Sequence, residues 1–476
     1  MSGSTAGGEG PDELERLVTG AFRVFRRRFA DLRFVAPGGV LEVTKRVEQV
    51  TRVRVESPAT VRLHLATFLV EAEGVDDLAC RTRATASSRA RADSNDGLTD
   101  GRLFDPRNRR LSFQTRTEQR PWVQLEFDGP VNLTRIFLRN RRDPTSVRAR
   151  GLQIFAQATD GRWTRVYDGG IRERELADRL QQTYAGQQPR RMDSLDGTAG
   201  GTATRWRRLL RRCTPPSGSP VRHSARQHPV DPVGADLIRV LTALLLGQYA
   251  AAVRDLERVA LPEVEKARFR RIVDARILAR RKLTWTSHGV HRSFQFWSRS
   301  EQEAYVSFAA QVLEDLRDLT DDVCFGFGSA LAIVRDQALI PHDDDMDIII
   351  GFDPARAATL ADALVLIGEH LAAKGYTATG PHLAHRWIKK PGTPFKVDVF
   401  VGIFEGDTIA WYPGRRGALT RGMVFPPIAR ELLGVACRIP NDPERYLSQV
   451  YGPGWDVPDP DFSHPWDPQE YADLVR

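Results

Sequence analysis

At 476 residues the chain is too long for a single ordinary hydrophobic core, so we expect two or three domains. With 41% hydrophobic and 27% charged residues, the composition is that of a folded globular protein and excludes a largely disordered one. The formal net charge of +8 rests mainly on arginine and favours contact with anionic groups, but a GC-rich genome produces the same arginine bias. No pattern of interleaved aromatic and basic residues accompanies the charge, so we expect no nucleic-acid partner.

Three features bear on the cellular compartment. The cysteines are scattered, without the spacing of a zinc or redox motif, at Cys80, Cys213, Cys324 and Cys437, which indicates a reducing compartment. The N-terminus lacks the basic start and apolar run of a signal peptide. The most apolar stretch, residues 240–246, is too short to cross a bilayer. We therefore expect a cytoplasmic protein.

The first part of the chain is predicted to change from helix to strand. Residues 1–40 are expected to hold a disordered start and one amphipathic helix, because apolar residues recur at helical spacing over residues 11–34. Residues 41–170 contain short alternating runs separated by turn residues, as at 50–55 and 122–127. Short strands at this spacing predict a β-sandwich.

Residues 121–170 carry a more specific pattern than alternation alone. The pattern consists of Pro121-Trp122 at the start of one strand, Asn140-Arg141 after the next, Gly151, and Asp160-Gly161-x-Trp163. It resembles the discoidin (coagulation-factor C-type) family of jelly-roll modules, and the resemblance covers roughly residues 80–170. Residues 94–104 fit the early loop of that family. The resemblance implies a module that binds glycans or lipid head groups through loops at one end. A module that only scaffolds the rest of the chain fits the sequence as well.

The middle of the chain is predicted to connect two domains. Residues 171–235 are expected to be a linker, because the hydrophobic pattern is lost and Gly, Gln, Arg, Pro and Ser dominate. The basic segment RWRRLLRRC at 205–213 is either a solvated part of this linker or a helix on an anionic membrane surface. The second option would place the protein peripherally at the inner face of the membrane. Helical spacing returns at 236–284 and predicts a helical bridge to a last domain at 285–476.

The segment GSALAIVRDQALIPHDDDMDIII, residues 328–350, concentrates negative charge directly before three isoleucines. Its aspartates are Asp343, Asp344, Asp345 and Asp347. Carboxylates this close repel one another, so the cluster is either a solvated turn or a cation site. If residues 346–350 form a strand, Asp345 and Asp347 share one face, where two carboxylates can hold divalent cations such as Mg²⁺. Asp343 points the same way if the extended backbone continues back to it.

Two neighbouring segments favour a cation site. Residues 395–400 alternate as a second strand, in which Asp398 supplies a third carboxylate and Lys396 on the same face suits a phosphate contact. Gly328-Ser329 lies between a predicted strand and a predicted helix, where backbone N–H groups can bind phosphate. This order of elements resembles the DNA polymerase beta-type nucleotidyltransferase fold, in which metal ions between three carboxylates clamp nucleotide phosphates.

The same region closely resembles the LicD/fukutin-related family, and the resemblance extends over about 285–458. It rests on the Gly-Ser turn, Arg335, Ile340-Pro341-His342, the aspartate run and the VDVF strand at 397–400, with His342 standing where tryptophan is commoner. Members of this family transfer a substituted phosphate, such as phosphocholine or a polyol phosphate, from a CDP-linked donor to a glycan. The expected fold class is therefore multidomain α+β: an N-terminal β-sandwich (jelly roll), a helical bridge and a nucleotidyltransferase α/β domain.

The resemblance also implies roles for the site residues. Catalysis is expected from Asp345, Asp347 and Asp398, and Asp398 can accept the proton of an acceptor hydroxyl. The ligands expected for Mg²⁺ (or Mn²⁺) are Asp343, Asp345, Asp347 and Asp398. The residues expected to bind the substrate are Gly328, Ser329, Arg335, His342 and Lys396. Of these, Gly328, Ser329 and Arg335 are expected to hold donor phosphate.

Two other functions stay open on the sequence. A nucleotidyltransferase that adds NMP to RNA, protein or a small molecule would use the same fold and site. A non-catalytic glycan-binding protein would rely on the discoidin-like module, although the complete carboxylate set argues against it. The His-x-x-His pairs His288/His291 and His382/His385 lack the glutamate or cysteines of a zinc site, which favours exposed histidines or histidines that lie behind the site ligands.

Overall fold

The computed structural model describes residues 13–75, 82–89, 113–185, 232–412, 414–459, 462, 464 and 467–475. It divides into two compact units, residues 1–272 and 273–476. Helices and sheets occur in both units, consistent with the predicted multidomain α+β class. The boundary lies inside the predicted helical bridge, so the second unit begins before the expected residue 285. None of the helices in these ranges is both long enough and apolar enough for a membrane span.

The first unit combines helices with short and long strands. Its described helices are α1 (Glu13–Arg28), α2 (Gly169–Ala185), α3 (Pro232–Leu245), α4 (Tyr249–Arg258) and α5 (Glu263–Val273), with 3₁₀ turns at Ala30–Val35 and Pro144–Ala149. Its described strands are β1 (Val40–Glu56), β2 (Thr60–Val61), β3 (His64–Leu65), β4 (Thr67–Ala72), β5 (Thr82–Ala86), β6 (Phe113–Gln114), β7 (Glu118–Gln119), β8 (Trp122–Arg139), β9 (Gln153–Ala158) and β10 (Trp163–Asp168). The N-terminal helix and most predicted strands are therefore present.

The main sheet of the first unit is antiparallel, with the order β10-β9-β1-β8-β4, and β5 pairs with β8. Alternate residues of β1 and β8, such as Val53 and Val123, point into one hydrophobic core. The run predicted as a strand at 122–127 is only the first part of the longer strand β8, which pairs with β1 on both sides of a register shift. The two-sheet jelly-roll arrangement stays a prediction, and its early loop at 94–104 lies outside the described residues.

The predicted linker at 171–235 does not begin where expected. Residues at its start belong to α2, whose Leu176, Leu180 and Tyr184 are buried four residues apart. Packing of this one apolar stripe stabilises a helix whose average composition is polar. The basic segment at 205–213 lies outside the described residues. Helix α3 begins at Pro232, before the predicted start of the helical bridge at 236.

The second unit begins with a π-helical turn (Asp274–Leu278) and a 3₁₀ turn (Ala279–Arg281). Its described helices are α6 (Arg299–Arg317), α7 (Phe327–Leu331), α8 (Leu360–Ala373), α9 (Arg421–Val424) and α10 (Pro443–Tyr451), with a π-helical turn at Ala332–Asp336 and 3₁₀ turns at Phe294–Phe296 and Pro468–Tyr471. Its described strands are β11 (Thr284–Thr286), β12 (Gly289–His291), β13 (Val323–Phe325), β14 (Asp347–Phe352), β15 (Thr377–Thr379), β16 (His385–Lys389), β17 (Lys396–Glu405), β18 (Thr408–Ala410), β19 (Leu419–Thr420), β20 (Ile428–Leu432) and β21 (Val435–Ile439).

The central sheet of the second unit has the order β13-β14-β17-β16-β15, extended by β18 and β19. β14 and β17 run parallel, and the other pairs are antiparallel. Ile348 and Ile350 face a core built with α6 and α8, whereas Ile349 faces a second core that includes Trp411 and Tyr446. A strand buried on both faces reads as a continuous apolar run, which explains the three isoleucines.

Candidate active site

The site lies where the parallel strands β14 and β17 begin. Asp347 is the first residue of β14 and pairs in register with Asp398 of β17. The predicted neighbouring strands are therefore confirmed, and they bring these two carboxylates together. Asp345 lies before the strand, so it reaches the site from the preceding loop and not through strand alternation. Asp343 and Asp344 belong to the same loop.

Gly328 and Ser329 hold Asp347 in place. The Gly328 N–H donates to Asp347 Oδ2 over 3.1 Å, and the Asp347 N–H donates to Ser329 Oγ over 2.7 Å. A Cβ on Gly328 would lie 3.2 Å from Asp343 Oδ2 and 3.3 Å from Asp347 Oδ2, so only a residue without a side chain leaves both carboxylates undisturbed. The structure thus gives these residues a carboxylate to position, while their predicted contact with donor phosphate stays a prediction.

The residue before this pair is held in an unfavourable backbone conformation. Phe327 has φ = 41°, a region that bulky L-residues rarely adopt. Its N–H donates to the buried hydroxyl of Tyr446 over 3.0 Å, and its ring packs edge-on against Phe400 at 5.0 Å. Such strain persists only where surrounding contacts fix it, and here it sets the direction of the Gly328 N–H.

A buried tyrosine connects the loop before β14 to the start of β17. The Tyr305 hydroxyl accepts a hydrogen bond from the Met346 N–H over 2.9 Å and donates one to the Lys396 carbonyl over 2.5 Å. Tyr305 comes from α6, in which the sequence predicts only an apolar packing face. Its hydroxyl fixes the separation of the two segments that carry the carboxylates, a role that no local pattern indicates.

Lys396 lies between two of the carboxylates. Its Nζ is 3.2 Å from Asp345 Oδ2 and 3.3 Å from Asp398 Oδ1. The geometry at Asp398 does not make a hydrogen bond, and Asp398 Oδ1 is a buried oxygen without a hydrogen-bond partner among the described residues. A buried carboxylate oxygen in this condition is expected to bind a cation or a proton.

His288 approaches the loop carboxylates from the turn between β11 and β12. Its Nδ1 is 3.1 Å from Asp344 Oδ1 and 3.5 Å from Asp345 Oδ2. Ligand atoms of His288, Asp343, Asp344 and Asp345 all lie within 4.8 Å of one another. His288 was expected only as a surface histidine or one behind the site, and the sequence links it to Asp344 by no local spacing.

The second histidine pair lies beside Asp398. The His385 Nε2 is 3.6 Å from Asp398 Oδ2, too far for a hydrogen bond, and the His385 ring stacks on His382 with centroids 4.0 Å apart. Burial lowers the pKa of His385 to about 3, so its imidazole is neutral. His385 is on a strand, which excludes the helical zinc arrangement considered for this pair.

The electrostatics of the site show an excess of negative charge. Burial, reinforced by the charge of Asp345, raises the pKa of Asp398 to about 7 and that of Asp343 to about 8. The same two causes hold the pKa of Asp347 well above its ordinary value. The hydrogen bond that His288 donates to the Asp344 carboxylate raises the pKa of His288 to about 10. Without a bound cation these carboxylates therefore retain protons far above the usual range.

Two predicted substrate-binding residues have other surroundings. Arg335 donates from Nε and Nη2 to the carboxylate of Asp336, each over 2.8 Å, and from Nη1 to the Trp455 carbonyl over 3.3 Å. His342 is exposed. Among the described residues, no hydrogen bond or ion pair joins either side chain to the carboxylate cluster. The structure therefore gives no contact that supports their predicted role.

The donor set fits a hard divalent cation. Asp345, Asp347 and Asp398 converge as oxygen ligands, which Mg²⁺ and Mn²⁺ both accept. Asp398 Oδ1 has an ion pair with Lys396 but no hydrogen bond among the described residues. The carboxyl pKa values of Asp398 and Asp347 are nevertheless raised, which indicates that positive charge is in deficit there. The assignment of Asp343, Asp345, Asp347 and Asp398 as metal ligands stays a prediction.

Comparison with known proteins bears on the same segment. Residues 322–442 match the family model of the LicD/FKTN/FKRP nucleotidyltransferase domain. The matched range includes β13, α7, β14 and β17, and so holds Asp345, Asp347 and Asp398, whereas His288 and Tyr305 precede it. The LicD match supports a transferase of phosphate-containing groups.

The other comparisons add little. No curated protein matches the chain. One similar solved structure is the crystal structure of ANT(2")-Ia in complex with adenylyl-2"-tobramycin, with 11% sequence identity over 34% of this chain and 82% of that chain. Its TM-score of 0.24 is too low to support any conclusion about this protein.

Proposed function

We propose that the chain is a metal-dependent phosphotransferase that moves a substituted phosphate, of the phosphocholine or polyol phosphate type, from a CDP-linked donor to a cell-surface or capsular glycan. The observation that carries the proposal is the parallel pairing of β14 and β17, which brings Asp347 and Asp398 side by side next to Asp345. The LicD match over residues 322–442 supports the reaction class.

In the proposed reaction an acceptor hydroxyl attacks the distal phosphorus of the donor. A new oxygen–phosphorus bond forms, the bond to the anhydride oxygen breaks, and CMP leaves with that oxygen. Asp398 takes the hydroxyl proton at Oδ1, the oxygen that has no hydrogen-bond partner among the described residues. Proton transfer to a positioned carboxylate can contribute about a hundredfold or more to the rate.

Asp343, Asp345, Asp347 and Asp398 would hold Mg²⁺ or Mn²⁺, which would supply charge neutralisation for the donor phosphates and the departing CMP. The rest of the site positions these carboxylates: Gly328 and Ser329 fix Asp347 through two hydrogen bonds. Phosphoryl transfer depends mainly on positioning and charge neutralisation, which is consistent with this division of roles. We assign to Lys396 a contact with donor phosphate, because it is the ammonium group nearest to the carboxylates.

The acceptor is assigned to the first unit through the discoidin-like resemblance of residues 121–170. Contact with an anionic membrane, predicted for residues 205–213, is part of the same proposal, and that segment lies outside the described residues. Both assignments predict that a glycan polymer or an anionic surface binds independently of the carboxylate site.

The test is turnover of CDP-linked donors by the purified chain, followed by mass spectrometry and phosphorus NMR. We expect CMP release, attachment of the head-group phosphate to the acceptor, and loss of both with EDTA. Asp347→Asn should abolish turnover, whereas Asp353→Asn, an exposed carboxylate just after the other end of β14, should leave it unchanged.

Two results would contradict the proposal. Turnover by Asp347→Asn at more than a few per cent of the wild-type rate would show that Asp347 is not an essential metal ligand. Release of pyrophosphate from CTP or ATP, with NMP attached to the acceptor, would show that the site is a nucleotidyltransferase instead.

A further inference from the structure

Strand β16 borders the carboxylate site and carries two side chains that the proposed reaction does not use. Trp387 pairs in antiparallel register with Asp398, and Lys389, the last residue of the strand, pairs with Lys396. Side chains directly opposite each other on antiparallel strands point to the same face of the sheet, with Cβ atoms about 4.5–5.5 Å apart. Trp387 and Lys389 therefore lie on the face that presents the carboxylate of Asp398.

The indole ring of Trp387 is held in place by its neighbours. It meets the His382 ring edge-on, with centroids 5.1 Å apart, and Lys396 Nζ lies 5.4 Å from its centroid. The loop before β16 packs against the same ring at Gly380, which has φ = 111° and where a Cβ would lie only 3.4 Å from the indole. Trp387 is nevertheless only partly buried, so a fixed aromatic surface remains accessible beside Asp398.

Lys389 adds a positive charge that the described residues leave uncompensated. Its side chain is exposed, and no carboxylate in the described part of the chain forms an ion pair with its ammonium group. Like charges directly opposite each other on paired strands are destabilising. Lys396, on the opposite strand, is compensated by Asp345 and Asp398, so the charge that lacks a partner is that of Lys389. An anionic group bound there would compensate it.

We infer that Trp387 and Lys389 form the subsite for the reacting sugar of the acceptor, and that this sugar carries an anionic group, a phosphate or a carboxylate. The inference rests on the proposed function, in which Asp398 takes the proton of the acceptor hydroxyl. Because Trp387 lies directly opposite Asp398, a sugar packed on the indole has its hydroxyl groups next to that carboxylate. The indole suits the apolar C–H face of a sugar ring, and Lys389 suits the anionic group. The first unit is assigned the rest of the glycan polymer.

The test measures sugar binding to the full chain by saturation-transfer NMR, in Mg²⁺ and without a donor, so that no turnover is needed. The probes are glucose 6-phosphate, glucuronate and neutral glucose, each with and without excess CMP to occupy the donor position. We expect the charged sugars to bind the wild type about twofold to fivefold more tightly than glucose, the ratio that an exposed ion pair provides. CMP should not displace them. Lys389→Gln should remove the preference for charge, and Trp387→Leu should remove saturation transfer to the ring C–H protons of every sugar.

The matched control is Lys390→Gln, because Lys390 Nζ lies 5.0 Å from the Tyr376 ring and the variant should keep the preference for charged sugars. Lys389→Gln changes an exposed side chain, so its result does not depend on how far Trp387→Leu lowers stability.

Three results would overturn the inference: equal binding of charged and neutral sugars by the wild type, an unchanged preference in Lys389→Gln, or displacement of the charged sugars by CMP, which would assign Trp387 and Lys389 to the donor. Failure of the proposed function is a different result. If the charged sugars bind as expected but no CDP-linked donor is turned over, the proposed reaction fails while the saccharide subsite stands.

Discussion

The carboxylate cluster should make the metal-free protein less stable as the pH rises, and Asp398→Asn should remove part of that loss. Burial and the charge of Asp345 raise the pKa of Asp398 from an ordinary value of 3.8 to about 7. A carboxyl whose pKa is raised on folding binds its proton more tightly in the folded protein than in the unfolded chain. Its contribution to stability is therefore complete below about pH 4 and is lost as the pH rises through about 7.

The size of the effect follows from the shift. The pKa of Asp398 is raised by about three units, and each unit corresponds to about 1.4 kcal/mol. At pH 8 the ionised Asp398 therefore lowers the free energy of unfolding by at most about 4 kcal/mol. Asparagine has nearly the same size and does not ionise. In EDTA, Asp398→Asn should therefore match the wild type near pH 4 and exceed it near pH 8, by no more than this limit.

The assay is urea denaturation of both proteins across this pH range, in EDTA and in excess Mg²⁺. Mg²⁺ should stabilise the wild type, by about 2.7 kcal/mol at a hundred times its dissociation constant, and should stabilise Asp398→Asn much less. Asp321→Asn, whose side chain is 81% exposed, is the matched control and should show no pH-dependent gain. Two results would refute this reasoning. The first is a metal-free wild type whose free energy of unfolding stays level or rises from about pH 5 to about pH 8. The second is an Asp398→Asn variant that is no more stable than the wild type at about pH 8.

Three further predictions concern the residues around the cluster. Gly328→Ala should keep or raise the melting temperature but lower turnover about tenfold, because the new Cβ would lie 3.2–3.3 Å from two carboxylate oxygens and displace them. Unchanged turnover would show that the undisturbed position of these oxygens is not needed. Tyr305→Phe should lower the free energy of unfolding in urea by about 1–3 kcal/mol, because the Met346 N–H and the Lys396 carbonyl lose their partner. A smaller loss would mean that water replaces the hydroxyl. Arg335→Ala should lower the melting temperature and leave the donor KM unchanged, because the guanidinium is used by Asp336 and the Trp455 carbonyl; a raised KM at unchanged melting temperature would instead support the predicted phosphate contact.

Local patterns predicted the part of the site that lies on strands. The apolar run behind Asp347 and the alternation around Asp398 each identify a buried strand, and buried parallel strands are expected to be neighbours in one sheet. Side chains at the same end of two paired parallel strands lie close together, and this depends only on the pairing and not on the fold of the rest of the chain. This is why the pairing of Asp347 with Asp398 was accessible from the sequence.

The other site residues depend on contacts that no local pattern encodes. His288 meets Asp344 across 56 positions, and Tyr305 meets Met346 across 41. Nothing in the hairpin sequence or in the apolar face of α6 distinguishes these residues from others at the same spacing. The placement of Asp345 failed for a related reason, since a loop residue does not follow strand alternation.

In the first unit, a helical pattern was present in the sequence of α2, but the polar composition of the segment obscured it. Leu176, Leu180 and Tyr184 have helical spacing, yet the polar residues between them favoured a linker. Helices with one narrow apolar stripe derive most of their stability from packing, so average composition is a poor guide to them.

Lys396 connects the observed charges to the proposed reaction. Its ammonium group now compensates Asp345 and Asp398 at 3.2 and 3.3 Å, the oxygens that a cation would use. A divalent cation on these carboxylates supplies that compensation more strongly, because it carries two charges and binds the oxygens directly. Lys396 is then left with positive charge that the carboxylates no longer neutralise, at the start of the strand that bears Asp398. Under the proposed function, cation binding would therefore free the Lys396 ammonium group from the carboxylates and make it available to an anionic donor. This accounts for the presence of a lysine beside carboxylates whose charge a metal ion would already neutralise.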